Sequence, residues 1–253
     1  MTNKLKYFIG NWKMFGDIGD FKIINRINQY GKKSKMLFNK NKLILCVPNT
    51  LIYYFKEKLR SKFISLGVQN CYHQEGYGPY TGSVSAEMLK KVGADYIILG
   101  HSENRLEGES NKVIKKKITS SLNQKLNVIF CIGETFIEKK NNKTFSVLKK
   151  QIYSSLEKKF NINKIIIAYE PVWSIGTNKI PQLRELTKTI SFIKNTLKKN
   201  FKTSKSPKVL YGGSVNPKNI RLFSSISDLD GFLIGGASQS SKKFIDIIKN
   251  YYK

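Results

Sequence analysis

Eight short apolar runs spread along the whole chain constrain its fold more than any other feature. They are "YFIGNW", "KLILCV", "FISLGV", "DYIILG", "NVIFCIG", "KIIIAYE", "KVLYGG" and "GFLIGG". Most are continuously apolar rather than alternating, as parallel strands buried on both faces are. Amphipathic stretches with helical spacing lie between them. "DFKIINRINQY" places Phe21, Ile24 and Ile27 on one face, and "FSVLKKQIYSSLEKKF" and "LRELTKTISFIKNTLKK" repeat the pattern. Strand then helix, eight times at about 30 residues per unit, predicts an α/β protein of the (β/α)8 barrel type. No Pro/Ser-rich linker interrupts the 253 residues, so residues 1–253 are expected to form a single domain. An open doubly wound sheet is the alternative, but no GxGxxG follows the first strand.

Composition narrows the setting. Hydrophobic residues make up 40% of the chain, enough for a large core. "MTNKLKYFIGNWKM" lacks the long apolar segment and small-residue cleavage site of a secretory signal, and no apolar run approaches the ~18 residues that span a bilayer. A soluble, cytoplasmic protein with no membrane partner is expected. Cys46, Cys71 and Cys131 are dispersed and read as reduced thiols, and no Cys/His spacing offers a metal site.

The formal charge of +28 points in two directions. It suits an anionic partner or substrate. Yet only Arg26, Arg60, Arg105, Arg184 and Arg221 are arginine, the residue that reads phosphate and guanine bidentately. A Lys-, Asn- and Ile-rich composition gives the same charge without a specific nucleic-acid surface. No specific nucleic-acid partner is expected.

In a barrel of this kind the C-terminal ends of the strands converge on one mouth, where function concentrates. That rule selects Asn11 and Lys13 after strand 1, and His101, Glu103 and Arg105 after strand 4. "CIGE" follows strand 5 and Glu170 ends strand 6. His101 taken alone is either a catalytic group or an ordinary loop histidine. Glu170 taken alone is either a base or a rim salt-bridge partner. Together with Lys13 they supply a base, a hydrogen-bond donor and a fixed cation. Among these carboxylates only Glu170 has bulky or apolar neighbours, Tyr169, Pro171, Val172 and Trp173, and their shielding is expected to raise its pKa.

"YGGSV" and "IGGAS" are glycine-rich turns on strands 7 and 8. Turns there present backbone N–H groups to phosphate. "PVWSIGTN" is either a rigid surface loop or a lid directly after the base.

The motifs "NWK", "YTG" with "SAEML", "GHSENR" with "GES", "CIGE", "AYEPVWSIGT", "YGGSV" and "GFLIGGAS", in this order over essentially the whole chain, resemble the triosephosphate isomerase family. The resemblance implies an isomerase of glycolysis and gluconeogenesis that interconverts dihydroxyacetone phosphate and D-glyceraldehyde 3-phosphate without metal or organic cofactor. It implies Glu170 as the base, His101 as the neutral electrophile that shuttles protons between oxygens, and Lys13 with Asn11 as stabilisers of the enediolate. Glu103 then organises Lys13, and Gly176, Ser214, Gly235 and Gly236 hold the phosphate. A homodimer is implied, with the third loop, "CYHQEGYGPYTGS", inserted into a neighbouring subunit by its tip at Thr81; His73 in that loop and Arg105 read as structural. Ser83, Asn104, Asn178 and one residue fewer after Arg105 depart from the family pattern, all beside the catalytic set. The alternatives are another phosphate-binding barrel enzyme, which has no reason to carry these motifs together, and a noncatalytic polyanion-binding protein, which needs none of them.

Overall fold

The computed structural model describes residues 5–35, 39–177, 179–203 and 205–253. Eight parallel strands close into a barrel in sequence order: β1 (Lys6–Asn11), β2 (Asn41–Cys46), β3 (Ile64–Val68), β4 (Tyr96–Leu99), β5 (Asn127–Ile132), β6 (Ile165–Tyr169), β7 (Lys208–Tyr211) and β8 (Gly231–Ile234). β1 pairs with both β2 and β8, with Ile9 opposite Ile44 on one side and Leu233 on the other, which completes the ring.

The continuous apolar runs are explained by two cores. Successive side chains of a strand point to opposite faces. One set, including Ile9, Ile44, Ile98, Ile129, Ile166, Leu210 and Leu233, fills the barrel lumen. The other, including Phe8, Leu43, Val128, Phe130, Ile167 and Phe232, packs outward against the surrounding layer. Neither face meets water, so neither can be polar.

Helices supply that outer layer. They are α1 (Phe21–Lys33), α2 (Ile52–Lys58), α3 (Ala86–Lys91), α4 (Ser102–Leu106), α5 (Asn111–Asn123), α6 (Phe136–Lys140), α7 (Thr144–Ser155), α8 (Leu183–Phe201) and α9 (Ser241–Tyr251). On α1, Ile24 and Ile27 are buried, and Phe21 packs its ring 5.6 Å from that of Phe55. The strict strand-helix alternation fails once. Between β7 and β8 the chain forms a 3-10 turn, Ile220–Ser225, instead of an α-helix. Ile220 and Phe223, three apart, share one face in that geometry and are both buried. The hydroxyls of Ser224 and Ser225 donate back to the carbonyls of Arg221 and Leu222, competing with helical bonding. The helix expected over "FSVLKKQIYSSLEKKF" also stops early: Leu156 is extended after Ser155. Among the described residues no helix is long and apolar enough to cross a membrane.

Candidate active site

Glu170 follows the last residue of β6, and its N–H donates to the Ile132 carbonyl at 2.8 Å, which continues the sheet pattern into the mouth. The residue is only 2% exposed. A Cβ on Gly212 would lie 2.7 Å from Glu170 Cγ, so the first glycine after β7 is what lets the carboxylate lie across the top of the lumen. Its Oε1 is 3.3 Å from His101 Nε2, and its buried Oε2 has no hydrogen-bond partner among the described residues. Burial raises the Glu170 pKa, against the lowering influence of His101, the Cys131 thiol, the Ser102 N–H and Lys13.

His101 is itself the N-cap of α4. Its Nδ1 accepts the Glu103 backbone N–H at 3.2 Å. Glu103 Oε2 also lies 3.5 Å from Nδ1, but the other oxygen of that carboxylate is engaged by Lys13. We assign Nδ1 as the acceptor because the N–H contact is shorter and directed by the helix start. A ring nitrogen that accepts carries no proton, so the proton of the neutral ring sits on Nε2, facing Glu170 and the cavity.

Lys13 has φ +56°, left-handed backbone that is uncommon for a residue with a side chain. The Asn11 side-chain carbonyl holds it there by accepting the Lys13 N–H at 3.0 Å. Lys13 Nζ lies 2.5 Å from Glu103 Oε1. The short sequence "GNWK" therefore ends a strand, turns sharply and aims an ammonium group at the same space as His101.

Asn11, Lys13, His101, Glu170, Gly176, Ser214, Gly235 and Gly236 all line one cavity of about 720 Å³ at the C-terminal end of the barrel. Lys218 and Lys243 line it too, and motif reading did not single them out. No local signal marks them; they reach the mouth because the turns after β7 and β8 lie side by side. Lys243 stands in the first turn of α9, whose N-cap Ser240 accepts its N–H.

The segment after Glu170 makes a 3-10 turn at Val172–Ser174 and reaches Gly176 at φ +70°. Its root is anchored by Glu134 of "CIGE", which accepts from Trp173 Nε1 at 3.0 Å and the Tyr169 hydroxyl at 3.2 Å. Glu134 is 1% exposed and burial raises its pKa, so Glu170 is not the only shielded carboxylate at the strand ends. The neighbours that shield Glu134 come from β6 and the segment after it, 35 and 39 residues further along the chain, out of reach of a local reading. Lys139 of α6 covers the Trp173 ring at 4.0 Å and pairs with Glu185 of α8 at 3.1 Å.

Among the described residues Arg105 bonds to scaffold: the Gly100 carbonyl at 2.7 Å, Asn111 Oδ1 at 2.7 Å and the Cys131 carbonyl at 3.1 Å. His73 rests against the Tyr72 ring at 4.4 Å in the third loop. Ser83 donates its N–H to the Tyr80 carbonyl in the same loop. After Arg105 the shortened stretch turns through Gly108, with the Glu109 N–H on the Asn104 carbonyl. Asn178 lies outside the described residues.

The family profile described as triosephosphate isomerase matches residues 6–251. The chain belongs to the triosephosphate isomerase family. It is 38% identical to a triosephosphate isomerase of Alkaliphilus metalliredigens, over 94% of this chain and 96% of the relative. It is 38% identical to one of Dictyoglomus thermophilum, over 97% and 99%. The crystal structure of triosephosphate isomerase from Bartonella henselae superposes with a TM-score of 0.86 at 34% identity, covering 98% of this chain and 99% of that one. The protein is thus an isomerase of this family, and neither a different phosphate-binding barrel enzyme nor a noncatalytic polyanion binder accounts for matches of this extent.

Proposed function

We propose that the family's reaction, interconversion of dihydroxyacetone phosphate and D-glyceraldehyde 3-phosphate, proceeds here with Glu170 as the base. The observation that carries this assignment is the buried Glu170 carboxylate, with one oxygen lacking a hydrogen-bond partner among the described residues and the other 3.3 Å from His101 Nε2, in the cavity that also holds Lys13. Glu170 takes a proton from C1 of the ketone, and the electron pair moves to the C2 oxygen. The His101 Nε2–H and the Lys13 ammonium meet that oxygen as its charge grows, where fixed donors in a water-poor site lower the barrier most. His101 passes a proton between the two oxygens, and Glu170 returns its proton to C2, leaving the aldehyde at C1. Lys13 is oriented by Glu103, and Asn11 holds its backbone. Ser214, Gly176, Gly235 and Gly236 present phosphate-binding groups opposite the base. The segment after Glu170 acts as a lid, of which this family is a standing example, and closure protects the enediolate from losing phosphate. All of these groups come from the chain itself, so the reaction as drawn draws on no metal or organic cofactor.

A homodimer is supported by Met14, which is 99% exposed beside Lys13, and by the exposed Tyr77 in the third loop. A second cavity of about 300 Å³, lined by Lys13, Met14, Gln69 and Glu103, stands open next to the active site, where the Thr81 tip of a partner's loop would fit. We read residues 1–253 as one domain, since the closed sheet takes strands from Lys6 to Ile234 and the family match spans 6–251. A cytoplasmic location agrees with three buried cysteines, Cys46, Cys71 and Cys131, that are not joined in disulfides.

The test is a coupled assay for glyceraldehyde 3-phosphate isomerisation on the parent and on Glu170→Asp. Withdrawing the carboxylate by one methylene, on the order of 1 Å, is expected to lower kcat about 100-fold. Affinity for a substrate-like phosphate should change far less, because the glycine turns are untouched. A folded Glu170→Asp variant with kcat within about threefold of the parent would remove Glu170 from the role of base.

A further inference from the structure

Ser174, in the 3-10 turn that opens the lid, is fully buried, yet its hydroxyl meets polar groups from three other segments. The Lys179 carbonyl lies at 2.6 Å, the Tyr211 phenol oxygen at 2.9 Å and the Ser214 backbone N–H at 3.4 Å. A hydroxyl has one proton and two lone pairs. The carbonyl can only accept, so the Ser174 proton belongs to Lys179. The oxygen then accepts from Tyr211 and from Ser214. Tyr211 is equipped to donate, because burial pushes its phenol up to about 12, and its own oxygen also receives the Ser214 N–H. Every hydrogen-bonding capacity of this hydroxyl is filled. The packing around it depends on Gly213, where a Cβ would lie 2.2 Å from the Tyr211 hydroxyl and 2.6 Å from Ser174 Oγ.

We propose that Ser174 is a positioning residue that couples the lid to the phosphate subsite. Its hydroxyl fastens the start of the lid to its far end at Lys179 and to Tyr211 at the end of β7, and it holds the Ser214 N–H that an incoming phosphate takes. This rests on the reading of the turn at Ser214 as the phosphate site. A phosphate oxygen is a charged acceptor and forms a stronger hydrogen bond with that N–H than a neutral hydroxyl does. Phosphate arrival therefore removes one of the three contacts at Ser174, and the loss is felt at the root of the lid. The loop after β7 and the loop after β6 are joined through this one oxygen.

The experiment measures inhibition by inorganic phosphate, kcat, KM and the melting curve for the parent, Ser174→Ala, Tyr211→Phe and the double variant. Ser174→Ala frees the Ser214 N–H and is expected to tighten phosphate binding about 2- to 10-fold, the range of one neutral hydrogen bond. It should lower kcat by a similar factor, because the lid's ends are no longer tied. Tyr211→Phe removes a donor from Ser174 Oγ and, at the same time, an acceptor from the Ser214 N–H, so it should move phosphate affinity less than Ser174→Ala does. In the double variant both side-chain acceptors of the Ser214 N–H are gone, and phosphate should bind at least as tightly as in Ser174→Ala. A purely structural Ser174 would lower the melting temperature of both variants and shift phosphate affinity in neither, and that result overturns the proposal. So does a tightening in Tyr211→Phe that exceeds the one in Ser174→Ala. If Ser174→Ala does not fold, Ser174→Cys, whose thiol is a weak acceptor, takes its place: tighter phosphate binding supports the proposal and unchanged binding overturns it. A parent that isomerises the substrate but is not inhibited by phosphate would instead sink the phosphate-site reading itself.

Discussion

Glu170 and Asp230 are carboxylates sealed at opposite ends of the same barrel, and they are treated in opposite ways. Asp230 stands just before β8 at the N-terminal end, with no exposed surface. Lys194 Nζ lies 2.8 Å from it, the Val209 N–H donates to it at 2.9 Å, and Lys208 stands 3.9 Å away. Glu170 at the C-terminal end lies against His101 Nε2 and, among the described residues, forms no salt bridge with a lysine or arginine. A buried charge that is paired and hydrogen-bonded holds structure together; one left partly unpaired is costly and reactive. The N-terminal end is built for stability and the mouth for proton transfer, in a single sheet.

The largest expected effect tests the stable end. Lys194→Met takes away a buried cation that pairs with Asp230 at 2.8 Å, and breaking such a pair costs about 3–5 kcal/mol. Lys208 is partly exposed and can move closer, which places the loss near ~3 kcal/mol, or about 6–12 °C in Tm for a chain of this size. Activity per folded molecule should stay within about twofold, since the mouth is untouched. Thermal melts beside kcat/KM on the same samples decide it. A loss of activity at unchanged Tm would break the division between the two ends.

That division was only partly legible in the sequence. The strands were readable because parallel strands buried on both faces must be apolar throughout, and the barrel rule then turned strand ends into site candidates. Glu170, His101 and Lys13 needed nothing more than their position after β6, β4 and β1. The tautomer of His101 was not readable, because it follows from the imidazole capping its own helix. Glu134 was marked by its place after β5, but its hold on Trp173, 39 residues away, exists only once the ring has closed. Ser174 and Tyr211 are 37 residues apart and depend on Gly213 for room, so no local pattern announces them. The missing helix between β7 and β8 has the same origin. Ile220 and Phe223 match a helical face as well as a 3-10 one, and the serines beside them settle which forms.

A smaller effect sharpens the contrast at the mouth. A carboxyl whose pKa is raised by folding binds its proton more tightly in the native state than in the unfolded chain. Its contribution to stability is therefore fully present below the ordinary glutamate value and is lost as pH rises through the raised native pKa. At neutral pH, above the ordinary glutamate value, burying this carboxyl weakens the fold. Glu170→Gln keeps the shape and removes the charge, so Tm should rise at pH 7 by a few degrees, about 2–4 °C per kcal/mol recovered. The advantage should shrink as the pH is lowered towards the ordinary glutamate range. Asp230→Asn, which leaves Lys194 buried without its carboxylate, should move Tm the other way. Paired melting curves across pH check both, and a destabilised Glu170→Gln would show that the mouth holds its carboxylate as firmly as the other end does.

The smallest effect concerns lysines at the two ends. Lys218 and Lys243 line the active-site cavity, whereas Lys164 and Lys205 line a small cleft at the N-terminal end, ahead of β6 and β7. Two unit charges 10 Å apart in water interact by only ~0.4 kcal/mol, about twice that for a phosphate dianion. Each mouth lysine can therefore raise substrate capture by roughly twofold to fourfold at low ionic strength. The Debye length is about 10 Å at 0.1 M salt, so most of this should vanish between ~0.01 and 0.2 M. The parent's kcat/KM is expected to fall over that range while kcat stays nearly level, because screening acts on capture and the closed site excludes the salt. Lys218→Gln with Lys243→Gln should start lower and flatten the salt dependence. Lys164→Gln with Lys205→Gln should reproduce the parent's slope, since the length of the barrel separates those charges from the mouth by more than a Debye length. A kcat/KM that does not change with salt in any of the three proteins would assign the +28 charge to composition alone, without a part in substrate capture.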